Sequence, residues 1–221
     1  MACRGLFVTG TDTSVGKTLV ATALLRTLAA AGLRAVGMKP VAAGFDAASG
    51  ANADVLALRA AGNVDAPVRD CNPYAFADPV APHLAAQAAG VTLELSEIAA
   101  AGERLRRVAE ALIVEGAGGV LVPLDARHDM LDIAAALDLP VLLVVGMRLG
   151  CLNHALLTAL AVRRRGLDLR GWVANGLPPP MALAGANIRT LTDRLGCAPI
   201  AVVDPGAAPT FDAKTIAMLG F

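Results

Sequence analysis

An apolar run near the start of the chain leads directly into a short segment rich in glycine and hydroxyl residues. Leu6-Phe7-Val8 precedes Gly10-Thr11-Asp12-Thr13-Ser14-Val15-Gly16-Lys17-Thr18, and apolar residues at helical spacing begin at Leu19. A strand, a loop ending in Gly-Lys-Thr and then a helix is the setting of a phosphate-binding loop. The backbone N–H groups of such a loop and of the following helix attract anionic oxygens. The alternative, a tight turn with a threonine N-cap, does not require Lys17.

Two side chains of this segment have the chemistry that a phosphate-binding loop uses. The Lys17 ammonium can reach the β- and γ-phosphates of a nucleotide, and the Thr18 hydroxyl can bind Mg²⁺. The spacing departs from the common motif, because five residues separate Gly10 from Gly16. The segment therefore predicts nucleotide binding with an unusual loop start.

Length and composition favour one α/β domain. The chain has 221 residues, of which 56% are hydrophobic but only 3% are aromatic. Its apolar side chains are mostly those of Ala, Leu and Val, which favours helices packed closely on a sheet over an aromatic-rich β-sandwich. We expect a single domain over residues 1–221, with the fold of a P-loop NTPase.

Charge and cysteine patterns argue against several kinds of partner. The formal net charge is zero, and the densest basic cluster, Arg163-Arg164-Arg165, lies at a predicted helix end, where cations suit the helix dipole. No segment reaches the roughly 18 apolar residues of a membrane span. The four cysteines form no C-x-x-C pair, which is typical of reduced thiols in a cytoplasmic protein. We expect a cytoplasmic protein without nucleic-acid or membrane partners.

Strand-like apolar runs alternate with helical patterns along the chain. The predicted strands are 5–9, 35–39, 111–115, 141–146, 172–175 and 200–203. The predicted helices are 17–31, 54–61, 81–89, 97–110, 131–137, 152–165 and 186–195. Ser96 is the expected N-cap of the helix that follows it, and Gly32, Gly166 and Gly196 are expected to end helices. This alternation predicts a mainly parallel sheet with helices on both faces.

Polar residues at the predicted strand ends are candidates for a site, because ligands of such sheets bind beyond the carboxyl ends of the strands. Lys39 ends the second predicted strand, Glu115 the third and Asn175 the fifth. An ionised carboxylate after a strand as apolar as 112–114 is costly unless it is paired or binds a cation such as Mg²⁺. Lys17 and Lys39 near one site would indicate a strongly anionic reaction centre.

Each candidate also has a plainer interpretation. Glu115 could form a salt bridge before a glycine turn, and Lys39 could be a solvated charge. Asp54 could cap its helix or add a second acidic ligand for Mg²⁺. The helix start at 150–153 could hold a carboxylate or be an ordinary helix start. Asn175 could contact an adenine edge or form an Asn-Gly turn.

Taken together, a series of blocks resembles the dethiobiotin synthetase family, ATP-dependent ligases that close the ureido ring of biotin. In chain order they are 10–18, Lys39-Pro40-Val41, Asp54, Pro79-x-Ala81-Pro82-His83, Val114-Glu115-Gly116-Ala117-Gly118-Gly119, Arg148-Leu149-Gly150-Cys151-Leu152-Asn153-His154 and Gly171-Trp172-Val173-x-Asn175. The resemblance implies that 7,8-diaminononanoate takes up CO₂ as a carbamate and that ATP phosphorylates this carbamate. The second amine then displaces phosphate and closes the ring.

The resemblance also implies roles for individual residues. The implied catalytic residues are Lys39, Lys17 and Thr13, and the implied Mg²⁺ ligands are Thr18, Asp54 and Glu115. The implied ATP-binding residues are Ser14, Val15, Gly16, Lys17, Thr18, Leu19, Asp54, Glu115, Gly116, Ala117, Gly118, Asn175, Gly176, Asp204, Pro205 and Gly206. The implied substrate-binding residues are Ala43, Gly118, Gly150, Cys151, Leu152 and Asn153. In this family, the last four contact the substrate across a homodimer interface.

Three positions depart from the usual family pattern, and two related classes remain as alternatives. Ala43 stands where a hydroxyl residue is frequent, Ser14 where Glu or Gly is common, and Asp204 where the residue is usually apolar. Partitioning or septum-site switch ATPases usually have an additional lysine early in the loop, where this chain has Thr11-Asp12-Thr13. Cobyrinate-amidating relatives normally need a glutaminase domain, for which this chain is too short.

Overall fold

A computed structural model describes residues 3–45 and 50–221. Its strands are β1 (Arg4–Gly10), β2 (Ala35–Met38), β3 (Val41–Ala43), β4 (Tyr74–Phe76), β5 (Ala111–Glu115), β6 (Val141–Met147), β7 (Leu169–Gly176) and β8 (Ala201–Val203). Six of them form one sheet in the order β2-β5-β1-β6-β7-β8, and every neighbouring pair is parallel. Strands β3 and β4 form a separate two-stranded parallel sheet.

Helices connect the strands and cover both faces of the large sheet. They are α1 (Lys17–Ala30), α2 (Ala53–Ala61), α3 (Val68–Cys71), α4 (Pro82–Ala88), α5 (Leu95–Val108), α6 (Met130–Ala136), α7 (Cys151–Arg164), α8 (Ala184–Leu195) and α9 (Ala213–Leu219). In the described part of the chain, no helix is long and apolar enough to cross a membrane.

The core follows the alternation of side chains along the strands. Leu6 and Val8 of β1 pack with α1, α2 and α9 on one face, whereas Phe7 between them packs with α5 and α6 on the other. Further along that second face, β6 and β7 pack against α7 and α8. Because both faces are buried, the strands are continuous apolar runs, as a parallel sheet between two helical layers requires. The predicted fold class is confirmed.

The sequence patterns locate the large elements and miss the small ones. Each predicted strand and helix overlaps an observed element, and Gly32, Gly166 and Gly196 have positive φ angles at helix ends. Strands β3 and β4 and helix α3 have three or four residues, which is too short for a period to be detected. Helix α9 was also missed, although Ile216 and Leu219 on one of its faces are buried.

The predicted N-cap at Ser96 is wrong. Helix α5 begins at Leu95, and the residue before it is Glu94. The Glu94 N–H donates to the Tyr74 hydroxyl over 3.0 Å, so a contact with β4 determines where the chain enters this helix. That contact is tertiary and has no local sequence signal.

Candidate active site

The carboxyl ends of three adjacent strands, β1, β5 and β2, open into a cavity of about 700 Å³. Part of its lining, which we term the charged wall, is charged and hydroxylated and consists of Thr13, Ser14, Gly16, Lys17, Thr18, Lys39, Asp54 and Glu115 with Ala117 and Gly118. The rest of the lining, which we term the apolar wall, consists of Ala43, Pro79, Val80, Ala81, Pro82 and Val122. The loop after β1, the residue after β2 and the last residue of β5 therefore face one space.

The loop between β1 and α1 is tightly constrained. Gly16 has a φ of 95° and Ser14 a φ of 57°, so both occupy the left-handed region that suits glycine. A Cβ atom on Gly16 would lie 2.2 Å from Asn175 Nδ2, which explains why this position needs glycine. The Lys17 ammonium donates to the Asp12 carbonyl oxygen over 2.9 Å. The loop thus curls around its own lysine.

Four side chains in the charged wall form what we term the charge cluster: Thr18, Lys39, Asp54 and Glu115. Lys39 Nζ lies 2.7 Å from Asp54 Oδ2 and 2.6 Å from Glu115 Oε1. Thr18 Oγ1 lies 3.0 Å from Asp54 Oδ1 and 2.9 Å from Glu115 Oε1, and it can donate its proton to either. The Lys39 and Glu115 side chains are only 6% and 1% exposed, so this is a buried ion pair.

The electrostatics favour the charged forms of Lys39 and Asp54. Burial works against the charged form of Lys39, but the attraction of Glu115 and Asp54 together is larger and raises the Lys39 pKa above its ordinary value. Burial is also outweighed at Asp54, where Lys39 and the Thr18 hydroxyl lower the pKa of the carboxyl. Lys17 donates to a backbone carbonyl, and burial lowers its pKa to about 8, with the charge of Lys39 acting in the same direction.

One oxygen of the charge cluster stands apart. Glu115 Oε2 is buried and has no hydrogen-bond partner within residues 3–45 and 50–221. A buried carboxylate oxygen without a donor is costly unless something else occupies that direction. The Glu115, Asp54 and Thr18 side chains offer carboxylate and hydroxyl oxygens as metal ligands. Their vicinity therefore suits a hard cation such as Mg²⁺.

The described residues contain no cluster of three or more His, Cys, Asp or Glu side chains that could hold a metal by themselves. This is compatible with Mg²⁺, which usually takes one or two carboxylates from the protein and completes its shell with water and substrate phosphates. Asp54 is available for such a role because Asn52, and not Asp54, is the N-cap of α2. The Asn52 side chain accepts the N–H groups of Asp54 and Val55.

The residues expected around adenine lie beside the loop and outside the described lining of the large cavity. The Asn175 side chain is buried under the loop, where its Nδ2 donates to the Val15 carbonyl over 2.8 Å. Its Oδ1 is buried without a partner among the residues that the structure describes. Gly176 packs closely against Pro205, and Asp204 and Gly206 beside it are exposed. The carboxyl ends of β7 and β8 thus adjoin the nucleotide loop.

The helix start at Gly150 lies elsewhere. Gly150 has a φ of 95° and precedes α7, Cys151 is buried and Asn153 is exposed. The described lining of the large cavity of the same chain does not include Gly150, Cys151, Leu152 or Asn153. One link does connect this region with the nucleotide loop, because Arg148 forms an ion pair with Asp12.

The remaining predicted residues fall into two groups. Thr13, Ser14, Ala43, Ala117 and Gly118 line the cavity. Val15, Leu19 and Gly116 have other surroundings: Val15 is buried, Leu19 is exposed on α1, and a Cβ on Gly116 would lie 2.8 Å from the Phe7 ring.

Apart from Ala43, the residues of the apolar wall received no role from the sequence, and neither did two asparagines. The block Pro79-x-Ala81-Pro82 is conspicuous in the sequence, and its two prolines were the available signal for a rigid wall. Asn52 and Asn72 bind backbone groups next to Asp54 and Lys39. A single asparagine in a loop gives no such indication.

The parallel sheet and a Gly-Lys-Thr loop entering the first helix define a nucleotide-binding protein of the P-loop class. A family model described as "AAA domain" matches residues 4–208. The septum site-determining protein MinD of Pyrococcus horikoshii, solved with Mg-ADP, superposes with a TM-score of 0.57 at 14% identity over 91% of this chain and 81% of its own. A ParA family ATPase from Chlorobium tepidum gives 0.56 at 11% identity over 99% and 88%. These likenesses concern the fold.

Sequence relatives identify the family within this class. The ATP-dependent dethiobiotin synthetase BioD of Nitrosospira multiformis is 53% identical over 194 residues, 88% of this chain and 85% of the relative. The protein of the same name from Aromatoleum aromaticum is 48% identical over 218 residues, 98% of this chain and 96% of the relative. The chain belongs to the ATP-dependent dethiobiotin synthetase family, and the resemblance seen in its motifs is confirmed.

Proposed function

We propose that this protein is the ATP- and Mg²⁺-dependent ligase that converts 7,8-diaminononanoate and CO₂ into dethiobiotin, a step of biotin biosynthesis. The observation that carries the proposal is a single cavity whose lining combines Lys17, the charge cluster and the apolar wall. We further propose that residues 1–221 form one ligase domain and that the enzyme works in the cytoplasm.

The proposed chemistry joins two anions. An oxygen of the substrate carbamate attacks the γ-phosphorus of ATP, ADP leaves, and a carbamic–phosphoric anhydride remains. The second amine then attacks the carbamoyl carbon, phosphate leaves and the ring closes. Phosphoryl transfer of this kind depends mainly on alignment and on positive charge around the reacting oxygens.

Lys17 and Lys39 are proposed to supply that charge at different places. Lys17 belongs to the nucleotide loop, so its ammonium would bind the β- and γ-phosphates. Lys39 follows β2, which lies on the far side of β5 from β1, so its ammonium would bind the carbamate and the transferring phosphoryl group. Thr13 lines the same cavity from the loop and would contact the reacting oxygens.

Thr18, Asp54 and Glu115 are the proposed ligands of Mg²⁺. The unpartnered, buried Glu115 Oε2 supports this choice. When bound, Mg²⁺ neutralises charge on the phosphates of ATP. The protein residues hold its place, and Lys39 keeps the two carboxylates from repelling each other.

The apolar wall is proposed to protect the anhydride from water. Pro79, Val80, Pro82 and Val122 carry no polar side-chain atoms, and Ala43 contributes a methyl group. A dry wall beside a reactive phosphate anhydride favours attack by the tethered amine over hydrolysis. Gly118 would let backbone approach the substrate closely.

The carboxylate end of the substrate is proposed to bind a second copy of the chain. The N–H groups at the start of α7, over 150–153, suit a carboxylate. These residues are absent from the described lining of the large cavity of the same chain, and Leu149 beside them is 96% exposed. A homodimer would bury such apolar side chains and bring this helix start to the partner's cavity.

The adenine ring is proposed to lie where the nucleotide loop meets the ends of β7 and β8. The Asn175 Oδ1 atom would accept a hydrogen bond from the exocyclic amine of adenine, since it is buried without another partner in the described residues. The segment Asp204-Pro205-Gly206 would flank the ring.

A second candidate is a switch ATPase that acts by nucleotide-dependent dimerisation. The MinD and ParA structures have the same fold, which favours this alternative. However, their identities of 14% and 11% are far below the 53% of the synthetase relative. The additional lysine that such switches usually carry is replaced here by Thr11-Asp12-Thr13. The ligase is therefore the better supported function.

The deciding experiment measures ADP release with ATP and Mg²⁺ while the diamine and bicarbonate are omitted one at a time. The ligase should need both, and mass spectrometry should detect dethiobiotin in the complete mixture. Equal rates of ADP release without the diamine would favour the switch ATPase. The Lys39→Ala variant is the matched control, because it should retain ATP binding but lose the ADP release that the complete mixture supports.

A further inference from the structure

Lys39 lies where the chain leaves the large sheet. Its neighbour Met38 is the last residue of β2 and pairs with Val114 of β5. The Lys39 N–H donates to the Cys71 carbonyl over 2.8 Å. The next residue is Pro40, which has no N–H to donate. The backbone of this lysine is therefore held by the segment around residue 72 and not by a further step of the ladder.

Asn72 supplies the central contact of that segment. Its side chain is buried, and its Nδ2 donates to the Lys39 carbonyl over 2.7 Å and to the Tyr74 carbonyl over 2.9 Å. Because both partners are carbonyl oxygens, only the amide nitrogen can serve them, so the orientation of this amide is unambiguous. The Tyr74 N–H donates back to the Pro40 carbonyl over 3.1 Å.

Asn72 also connects Lys39 with the apolar wall of the cavity. The small sheet begins immediately after these contacts, where Val41 pairs with Tyr74 and Ala43 with Phe76. Ala43 lines the cavity. The same asparagine thus holds the backbone from which two features extend: the Lys39 side chain, and the small sheet that carries Ala43 of the apolar wall.

We propose that Asn72 is a positioning residue for the ligase reaction, acting through the Lys39 backbone to place the ammonium between Asp54 and Glu115. This inference rests on the proposed function, since it assumes that Lys39 stabilises the transferring phosphoryl group. The ammonium contacts two carboxylate oxygens at 2.6 and 2.7 Å, a geometry that a shift of the Lys39 backbone would spoil. Misplacement of a catalytic group by about 1 Å can reduce rates about 100-fold.

The test is Asn72→Ala, assayed as dethiobiotin formation with saturating diamine and bicarbonate. We expect kcat to fall about 10- to 100-fold and KM for ATP to stay within about twofold, because the nucleotide loop at 10–18 does not contact Asn72. Circular dichroism at the assay temperature gives the folded fraction. An Asn72→Ala protein that is folded and retains the wild-type kcat would overturn the proposal.

The chain offers a matched control at the other end of β2. Asn63 also bridges two backbone groups: its Nδ2 donates to the Leu33 carbonyl over 2.9 Å, and its Oδ1 accepts the Ala35 N–H over 2.8 Å. Asn63→Ala should lower the unfolding temperature but leave kcat within about twofold. If both variants lost kcat equally, Asn72 would have a general structural role and the proposal would be wrong.

A double variant separates positioning from stability. In the Lys39→Ala background, Asn72→Ala should reduce the residual turnover by less than about twofold, because the group that it positions is already absent. Multiplicative losses would contradict the proposal. Asn72→Ser, which stays uncharged and keeps one donor where the amide has two, should also lower kcat and replaces the alanine variant if that variant does not fold. Absence of product with the wild-type enzyme would instead refute the proposed function.

Discussion

Among the ion-pair clusters of the described residues, two that each place one basic side chain between two carboxylates invite comparison. In the charge cluster, Lys39 pairs with Asp54 and Glu115. Between α6 and α7, Arg165 pairs with Asp129 and Asp132, and we term these three residues the cap cluster. The two have similar charges but different surroundings, since the Arg165 side chain is 36% exposed and that of Lys39 only 6%.

The clusters differ in how fully their carboxylate oxygens are used. Every oxygen of the cap cluster has a partner: besides Arg165, Asp129 accepts the Leu131 N–H over 2.9 Å and Asp132 accepts the Asp129 N–H over 2.8 Å. In the charge cluster, Glu115 Oε2 has none among the described residues. The cap cluster, in which every carboxylate oxygen has a partner, stabilises a helix start. In the buried charge cluster, the oxygen without a partner is available to bind a ligand.

The largest expected effect concerns Lys39→Ala. Loss of an ammonium aimed at developing charge should reduce dethiobiotin formation about 1,000-fold. Because Glu115 would lose a buried partner, we also expect a destabilisation of about 3 kcal/mol, measurable by urea denaturation at pH 7. The variant should nevertheless fold at low temperature. Turnover at the wild-type rate would remove Lys39 from the mechanism and erase the functional contrast with Arg165.

Glu115→Gln should have the next largest effect. The amide keeps the size of the side chain but removes the charge that a cation needs, so we expect the Mg²⁺ concentration for half-maximal activity to rise about tenfold or more. A magnesium titration at fixed ATP measures this. Asp132→Asn in the cap cluster is the control, and its titration curve should match that of the wild type. An unchanged curve for Glu115→Gln would make this glutamate a purely structural ion-pair partner.

Arg165→Ala tests the other side of the comparison. The partly exposed pairs of the cap cluster should contribute about 1 kcal/mol to the free energy of unfolding, with kcat within about twofold of the wild type. Denaturation at low and high salt should show that the difference shrinks with ionic strength, because these charges are screened. A large loss of kcat would show that the cap cluster communicates with the site.

The smallest expected effect is proton uptake on nucleotide binding. The pKa of Lys17 is about 8 in the free protein, so at pH 8.5 the Lys17 side chain is neutral in most of the molecules. Bound phosphates favour the ammonium and raise this pKa, so binding should take up somewhat less than about one proton at pH 8.5 and almost none at pH 6.5. Calorimetry in buffers with different ionisation enthalpies measures the uptake. Lys17→Met should abolish it, and persistent uptake would assign it to another group.

Much of the site was predictable because parallel strands bring their carboxyl ends to one edge. Lys39 and Glu115 stand at strand ends in the sequence, and Lys17 and Thr18 belong to a recognisable loop. Asp54 was ambiguous, since its position at a helix start also suits a cap. The structure gives the cap to Asn52 and leaves the Asp54 carboxylate to the charge cluster.

Asn72 shows where sequence reasoning ends. Nothing in its neighbourhood along the chain indicates that its amide binds the Lys39 carbonyl, 33 residues away. The same holds for the start of α5, which a hydroxyl group on Tyr74 determines. Contacts between residues distant in sequence depend on the packing of whole elements, and no local period encodes them.

By itself, the sequence determined the alternation of strands and helices, the burial of both sheet faces and the nucleotide loop, since hydrophobic period and glycine placement act locally. The tertiary structure alone decided that Lys39 sits between Asp54 and Glu115 while the second oxygen of Glu115 has no hydrogen-bond donor among the described residues. Burial and distance set the energy of charges, and both are properties of the folded chain.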